Sequence, residues 1–140
     1  MFSGSYRHQV DAKGRVAVPV RFREELGGNS MISLGPELVL TGYPEEEWRK
    51  LSQALAEESG SSEQRRRLTR VLFGSAQRCE FDNQGRVLLS PELRRRANLQ
   101  SQVVIVGSNR VIEIWPAERW DEYLNGAEGQ FTQLIDMVVQ

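Results

Sequence analysis

Between Tyr6 and Val10, and again between Gln77 and Phe81, apolar and polar positions alternate, the period of two that predicts a half-buried strand. Tyr6, His8 and Val10 share one face, as do Cys79 and Phe81. Each stretch runs into an Asp-x-x-Gly sequence, Asp11 to Gly14 and Asp82 to Gly85. That pattern predicts a tight turn, with Asp capping its own backbone and Gly taking positive φ. Val16 to Val18 and Val87 to Leu89 then return as the second arm of a hairpin. Proline stops each arm and opens a short helix, because its fixed φ suits the first helical turn. These helices are predicted over Val20 to Leu26 and Glu92 to Ala97. Two apolar strands follow in each case, and then a helix entered at Pro44 or Pro116. Glu45, Glu46 and Glu47 open the first of these helices, where the helix dipole favours acidic groups. Trp48, Leu51 and Leu55 line its apolar face at helical spacing.

The same order of elements twice means that the chain repeats itself. Asp11 to Pro19 recurs as Asp82 to Pro91 at an offset of 71 through Leu89, and Ser90 adds one residue to make the offset 72. Met31 to Gly35 then aligns with Val103 to Gly107, Leu38 to Pro44 with Arg110 to Pro116, and Trp48 with Trp120. Between the copies, Ser61 to Phe73 reads as a linking helix, with a capping box at Ser61 and Gln64 and an apolar stripe of Leu68, Val71 and Leu72. After the second copy, Asn125 to Gly129 reads as a break. Gln130 to Val139 reads as a final amphipathic helix with Phe131, Leu134, Ile135 and Val138 on one side. A unit of roughly 60–70 residues buries too little surface to be stable alone. The expectation is therefore an intertwined pair, residues 5–50 and 76–123, joined by the helix at 61–73 and followed by the helix at 130–139. Together they form one α+β domain over 1–140 with internal pseudo-twofold symmetry.

Composition adds a boundary and then charge adds a direction. The 140 residues hold one cysteine, Cys79, and one histidine, His8. An internal disulfide is excluded, and a Cys/His zinc site cannot be assembled within one chain. Little is left for Ser-His-Asp or Cys-His catalysis, so no catalytic residue, metal site or cofactor is expected. No apolar run reaches the length of a membrane span, and the N-terminal stretch has no signal-peptide core. The formal net charge is only −1, which argues weakly against nucleic acid. The charge is distributed in blocks, however: +2 over residues 1–26, −4 over 27–62, +5 over 63–98 and −4 over 99–140. Both Asp-x-x-Gly turns lie in the positive blocks. Of the 18 cations only Lys13 and Lys50 are lysines, and arginine is the side chain suited to phosphates and base edges.

The opening Met1-Phe2-x-Gly4-x-Tyr6-x-His8, the Asp11-Ala12-Lys13-Gly14-Arg15 turn and the second Asp82-x-x-Gly85-Arg86 closely resemble the MraZ family. The resemblance covers nearly the whole chain and implies a tandem AbrB-like swapped-hairpin β-barrel decorated by helices. It implies a bacterial cytoplasmic, nucleoid-associated regulator, usually a repressor. Such a protein binds direct repeats of double-stranded DNA in the promoter of the division and cell-wall gene cluster, as a homo-oligomeric ring. Carried over by position, the DNA-facing residues are Lys13 and Arg15 in the first turn and Gln84 and Arg86 in the second. Asp11, Gly14, Asp82 and Gly85 form the turns. Gln84 departs from Lys13, and the added Ser90 shifts Arg94, Arg95 and Arg96 relative to Arg21 and Arg23.

Each of these residues also has a plainer reading. Arg15 and Arg86 could simply bridge to Asp11 and Asp82 across their own turns, although such exposed pairs contribute only about 0–1 kcal/mol. Arg65, Arg66, Arg67 and Arg70 read as a second DNA site or, more plainly, as a solvated helix face or partners of the acidic segments 45–47, 57–58 and 118–122 on a neighbouring subunit. Arg94, Arg95 and Arg96 read equally as a phosphate clamp or as surface. His8 and Cys79 read as a buried pair near the symmetry axis. The alternative function is a protein-binding, antitoxin-like or scaffolding oligomer on the same fold, working through its acidic segments. Neither a small-molecule substrate nor a membrane partner is expected.

Overall fold

Capping groups set where the short helices begin. In the computed structural model, which describes residues 1–56 and 62–139, helix α1 (Val20–Leu26) starts from Pro19 and α4 (Pro91–Arg96) from Ser90. The Ser90 hydroxyl accepts from the Leu93 N–H at 3.1 Å, satisfying one of the donors that every helix start leaves open. Helix α3 (Glu63–Gly74) is capped by Ser62, whose hydroxyl accepts from the Arg65 N–H at 3.1 Å. The capping box expected at Ser61 lies outside the described residues, as do the acidic positions 57–58. Helix α2 (Glu45–Ala56) carries Glu45, Glu46 and Glu47 in its first turn and half-buries Trp48, Leu51 and Leu55.

Helix α5 (Ala117–Glu128) runs through the expected break at Asn125–Glu128 and stops only at Gly129, whose N–H is shared by the Asn125 and Ala127 carbonyls. A glycine inside a helix costs only about 1 kcal/mol, so Gly126 is tolerated. Helix α6 (Phe131–Val139) follows, with Phe131, Leu134, Ile135 and Val138 all exposed.

The strands are β1 (Ser5–Gln9), β2 (Arg15–Ala17), β3 (Met31–Leu34), β4 (Leu40–Tyr43), β5 (Gln77–Arg78), β6 (Arg86–Leu88), β7 (Gln102–Ser108) and β8 (Val111–Pro116). Six form an antiparallel sheet in the order β1-β7-β8-β4-β3-β5, and β2 pairs with β6 as a separate two-stranded ribbon. The molecule is a mixed α+β fold. No closed barrel ladder forms among the described residues: the sheet ends at β1 and β5, and the ribbon is tied to it by isolated contacts such as the Phe81–Val87 bridge and not by a continuous ladder.

The expected hairpins do not form ladders between their own two arms. Beyond the bond from the Asp11 N–H to the Arg15 carbonyl (2.9 Å) and its counterpart from Asp82 to Arg86 (2.9 Å), the arms of each turn ladder with the other half of the chain. The Val10 N–H donates to the Ser101 carbonyl at 2.8 Å, which holds β1 against the β7 side up to the turn. Strand β5 pairs with β3, and Phe81 keeps one isolated bridge to Val87.

Two ladders pair equivalent strands. In the ribbon Arg15 faces Leu88, Val16 faces Val87 and Ala17 faces Arg86. In the sheet Leu40 faces Ile114, Thr41 faces Glu113 and Gly42 faces Ile112. Exchanging the halves, by 71 positions in the ribbon and 72 in the sheet, leaves both registers unchanged.

The structure also moves the added residue. Val18 and Leu89, Pro19 and Ser90, Arg23 and Arg94, and the positive-φ residues Gly27 and Asn98 all correspond at an offset of 71. The extra position therefore falls in the loop between α4 and β7, not at Ser90, and α4 is not shifted against α1. The matching of Pro19 with Pro91 misled because Ser90 takes the capping place of Pro19.

The main core lies between one face of the sheet and the ribbon with its two helices. Val16, Phe22, Val87, Leu89, Leu93, Ile105 and Ile114 are at most 1 % exposed. Burying each such side chain stabilises the fold by about 1.5–3 kcal/mol. On the opposite sheet face, Val39, Val104, Val106 and Trp115 form a second cluster against Ala117 and Trp120 of α5. The expected His8–Cys79 pair is not a buried pair. Both residues are only half-buried, His8 on β1 and Cys79 just past β5, at opposite ends of the strand order.

Candidate nucleic-acid interface

The ribbon brings the two Asp-x-x-Gly-Arg turns together. Residues directly opposite on a strand pair share a face, and neighbours along the strand alternate. Val16 and Val87 point into the core, 0 % and 1 % exposed. Arg15, Ala17, Arg86 and Leu88 consequently share the outer face. Arg15 and Arg86 are diagonal neighbours, a relation that spaces residues by about 7–8 Å, roughly two base-pair steps of a duplex.

Each turn is wired by its aspartate. Asp11 Oδ1 accepts the Lys13 and Arg15 N–H groups at 2.9 Å each, and Oδ2 accepts Arg15 Nε at 2.7 Å. Asp82 repeats this, accepting the Gln84 N–H, the Arg86 N–H and Arg86 Nε, all at 2.9 Å. The Gly14 and Gly85 N–H groups donate to the Asp11 and Asp82 carbonyls at 3.0 Å, with φ of 90° and 76°. That left-handed conformation is why glycine stands there. The Arg15 backbone N–H, reinforced by its side chain and by Lys13, lowers the Asp11 carboxyl to about 2. The Asp82 carboxyl is also lowered, chiefly by the Arg86 N–H. Each guanidinium is held through Nε, and the end far from the chain carries two terminal nitrogens. Two parallel donors of that kind suit a phosphate or the O6/N7 edge of guanine.

Lys13 and Gln84 are exposed at the turn tips. Lys13 also lines an open groove of about 740 Å³ with Leu88, Ser90, Arg94 and Glu80. Of the residues beneath the turns, the sequence singles out Arg94 as phosphate clamp or surface, but neither it nor Arg23 as a support of a turn. The Arg94 guanidinium lies flat against Gly14, and Arg23 lies against Gly85. Their shared offset was the signal that could have found them.

Elsewhere the acidic segments have partners in the same chain. Glu45 and Glu46 pair with Arg49, Glu47 with Lys50 and Arg110, and Asp121 with Arg7. Arg67 pairs with Glu63 at 3.1 Å. Burial pushes the Cys79 thiol up to about 11, which keeps it protonated and unreactive at neutral pH. Among the described residues no cluster of His, Cys, Asp and Glu is arranged to hold a metal, and no helix is long and apolar enough to cross a membrane.

The sequence matches a family model described as "MraZ protein, putative antitoxin-like" twice, over residues 1–71 and 72–138. It is 40 % identical over 139 residues to the transcriptional regulator MraZ of Carboxydothermus hydrogenoformans, covering 99 % of this chain and 97 % of that protein. The transcriptional regulators MraZ of Lactobacillus delbrueckii subsp. bulgaricus and Halothermothrix orenii are also 40 % identical, over 136 and 134 residues. Those alignments cover 97 % and 96 % of this chain, and 95 % and 94 % of the relatives. These relatives are named as regulators, not as enzymes.

Proposed function

The chain belongs to the MraZ family, and from that premise we propose that it is a sequence-specific, double-stranded-DNA-binding transcriptional regulator. It acts as a repressor on direct repeats in the promoter of the bacterial division and cell-wall gene cluster, in the cytoplasm and on the nucleoid. The observation that carries this reading is the ribbon, which holds two identically wired Asp-x-x-Gly-Arg turns at its two ends with Arg15 and Arg86 diagonal on one outer face. A two-stranded ribbon fits the major groove, and Lys13, Arg15, Gln84 and Arg86 are its contacts. The crossed pairing of β1 with β7 and β5 with β3 supports a tandem swapped-hairpin unit, two repeats woven into one domain.

The protein works as a homo-oligomeric ring. The exposed apolar face of α6, with Phe131 at 61 % and Val138 at 82 % exposure, supports self-association, since surface helices normally bury such a stripe. Each subunit binds weakly, and the ring engages several spaced repeats at once through effective concentration. A gel shift with Arg15→Ala tests the reading. Most operator binding is lost while the oligomer persists in size-exclusion chromatography. Normal promoter binding by that variant would remove the turn assignment. The antitoxin-like description attached to the family model keeps a protein-binding oligomer as the second reading. It predicts no preference for promoter over random duplex.

A further inference from the structure

Arg23 and Arg94 occupy equivalent places and make equivalent, crossed contacts. Arg23 Nε donates to the Val18 carbonyl at 3.0 Å and Arg94 Nε to the Leu89 carbonyl at 3.2 Å. Each guanidinium then lies on the turn of the other half. A Cβ at Gly85 would sit 2.6 Å from Arg23 Cζ, and one at Gly14 would sit 2.7 Å from Arg94 Cζ. Helix α1 thereby supports the second turn and α4 the first. Both residues are half-buried, yet neither guanidinium has a carboxylate partner among the described residues. By contrast Arg15, Arg86 and Arg96 are each paired with an acid. Arginine carries five side-chain donors and no acceptor, and among the described residues Nε is the only guanidinium donor of Arg23 or Arg94 that is hydrogen-bonded. Arg94 also shares its groove with Lys13, so two cations converge there without an ion pair between Arg94 and Glu80.

We propose that Arg23 and Arg94 each take a DNA phosphate with their terminal nitrogens while holding the opposite turn in reading position. The inference rests on the DNA-binding reading above and adds two contacts to it. Phosphate contacts fix the register of a protein on the duplex, and base contacts specify the sequence. In this arrangement the stacked arginines set how deeply Arg15 and Arg86 enter the groove.

Fluorescence anisotropy with a promoter duplex and a random duplex, over a salt series, tests this on Arg23→Gln, Arg94→Gln and Arg94→Lys. Each Gln variant weakens binding to both duplexes about tenfold and lowers the log–log salt slope by about one. Arg94→Lys keeps the charge and restores the slope. If the Gln variants bind less tightly with an unchanged slope and a lowered melting temperature, the arginines only prop the turns and the proposal is overturned. Failure of the unaltered protein to prefer promoter over random duplex would instead remove the DNA-binding reading itself.

Discussion

At the first turn Lys13 stands where the second has Gln84, and in the ribbon Ala17 stands where the second half has Leu88, although the aspartate of each turn makes the same three hydrogen bonds. The wiring and the support from below are duplicated: Asp holds Arg, Gly takes positive φ, and an arginine from the other half lies against that Gly. The outer surface is not duplicated. Leu88 is 57 % exposed beside Arg15, whereas Ala17 is half-buried beside Arg86. What is shared positions the two arginines. On the proposed DNA-binding reading what differs meets the ligand, so the two turns are expected to contact unlike features of one site.

The largest effects fall on the shared wiring. Arg15→Ala and Arg86→Ala each cost about 1–3 kcal/mol of operator affinity and relax sequence preference, measured by competition gel shift. A silent Arg86→Ala would break the equivalence of the two turns. Next come Gly14→Ala and Gly85→Ala. Each forces a side chain into positive φ and into the guanidinium lying against it, costing about 1–3 kcal/mol in urea unfolding. The two losses should match.

The outer surface is probed by exchanging tips. Gln84→Lys raises the salt slope of DNA binding by about one and Lys13→Gln lowers it by about one, with unfolding midpoints unchanged. The smallest effect is on titration. The Asp11 carboxyl is lowered from 3.8 to about 2, so its contribution to stability is complete above the unfolded value and is lost as pH falls through about 2. Carboxyl NMR should place its midpoint near there. Arg15→Ala should leave it depressed, because the main cause is the backbone N–H, which alanine retains.

Much of this architecture is legible in the chain itself. Helix α1 was expected over Val20 to Leu26 and forms there, and both turns follow from Asp-x-x-Gly chemistry. Strand partners were not legible. The alternation in Tyr6–Val10 specifies a half-buried strand but not whether its neighbour is the other arm of its turn or β7. The stacked arginines were hidden by the proline match, which put Arg23 and Arg94 out of step. Helix α5 passes through Gly126 because the intrahelical ladder outweighs one glycine.

Footprinting on the promoter upstream of the protein's own gene tests the central claim most directly, comparing the unaltered protein with the Arg15→Ala, Arg86→Ala double variant. The account predicts protection at regularly spaced short repeats by the first and none by the second at equal concentration. Equal protection by both proteins, or protection no different from that of random duplex, would contradict it.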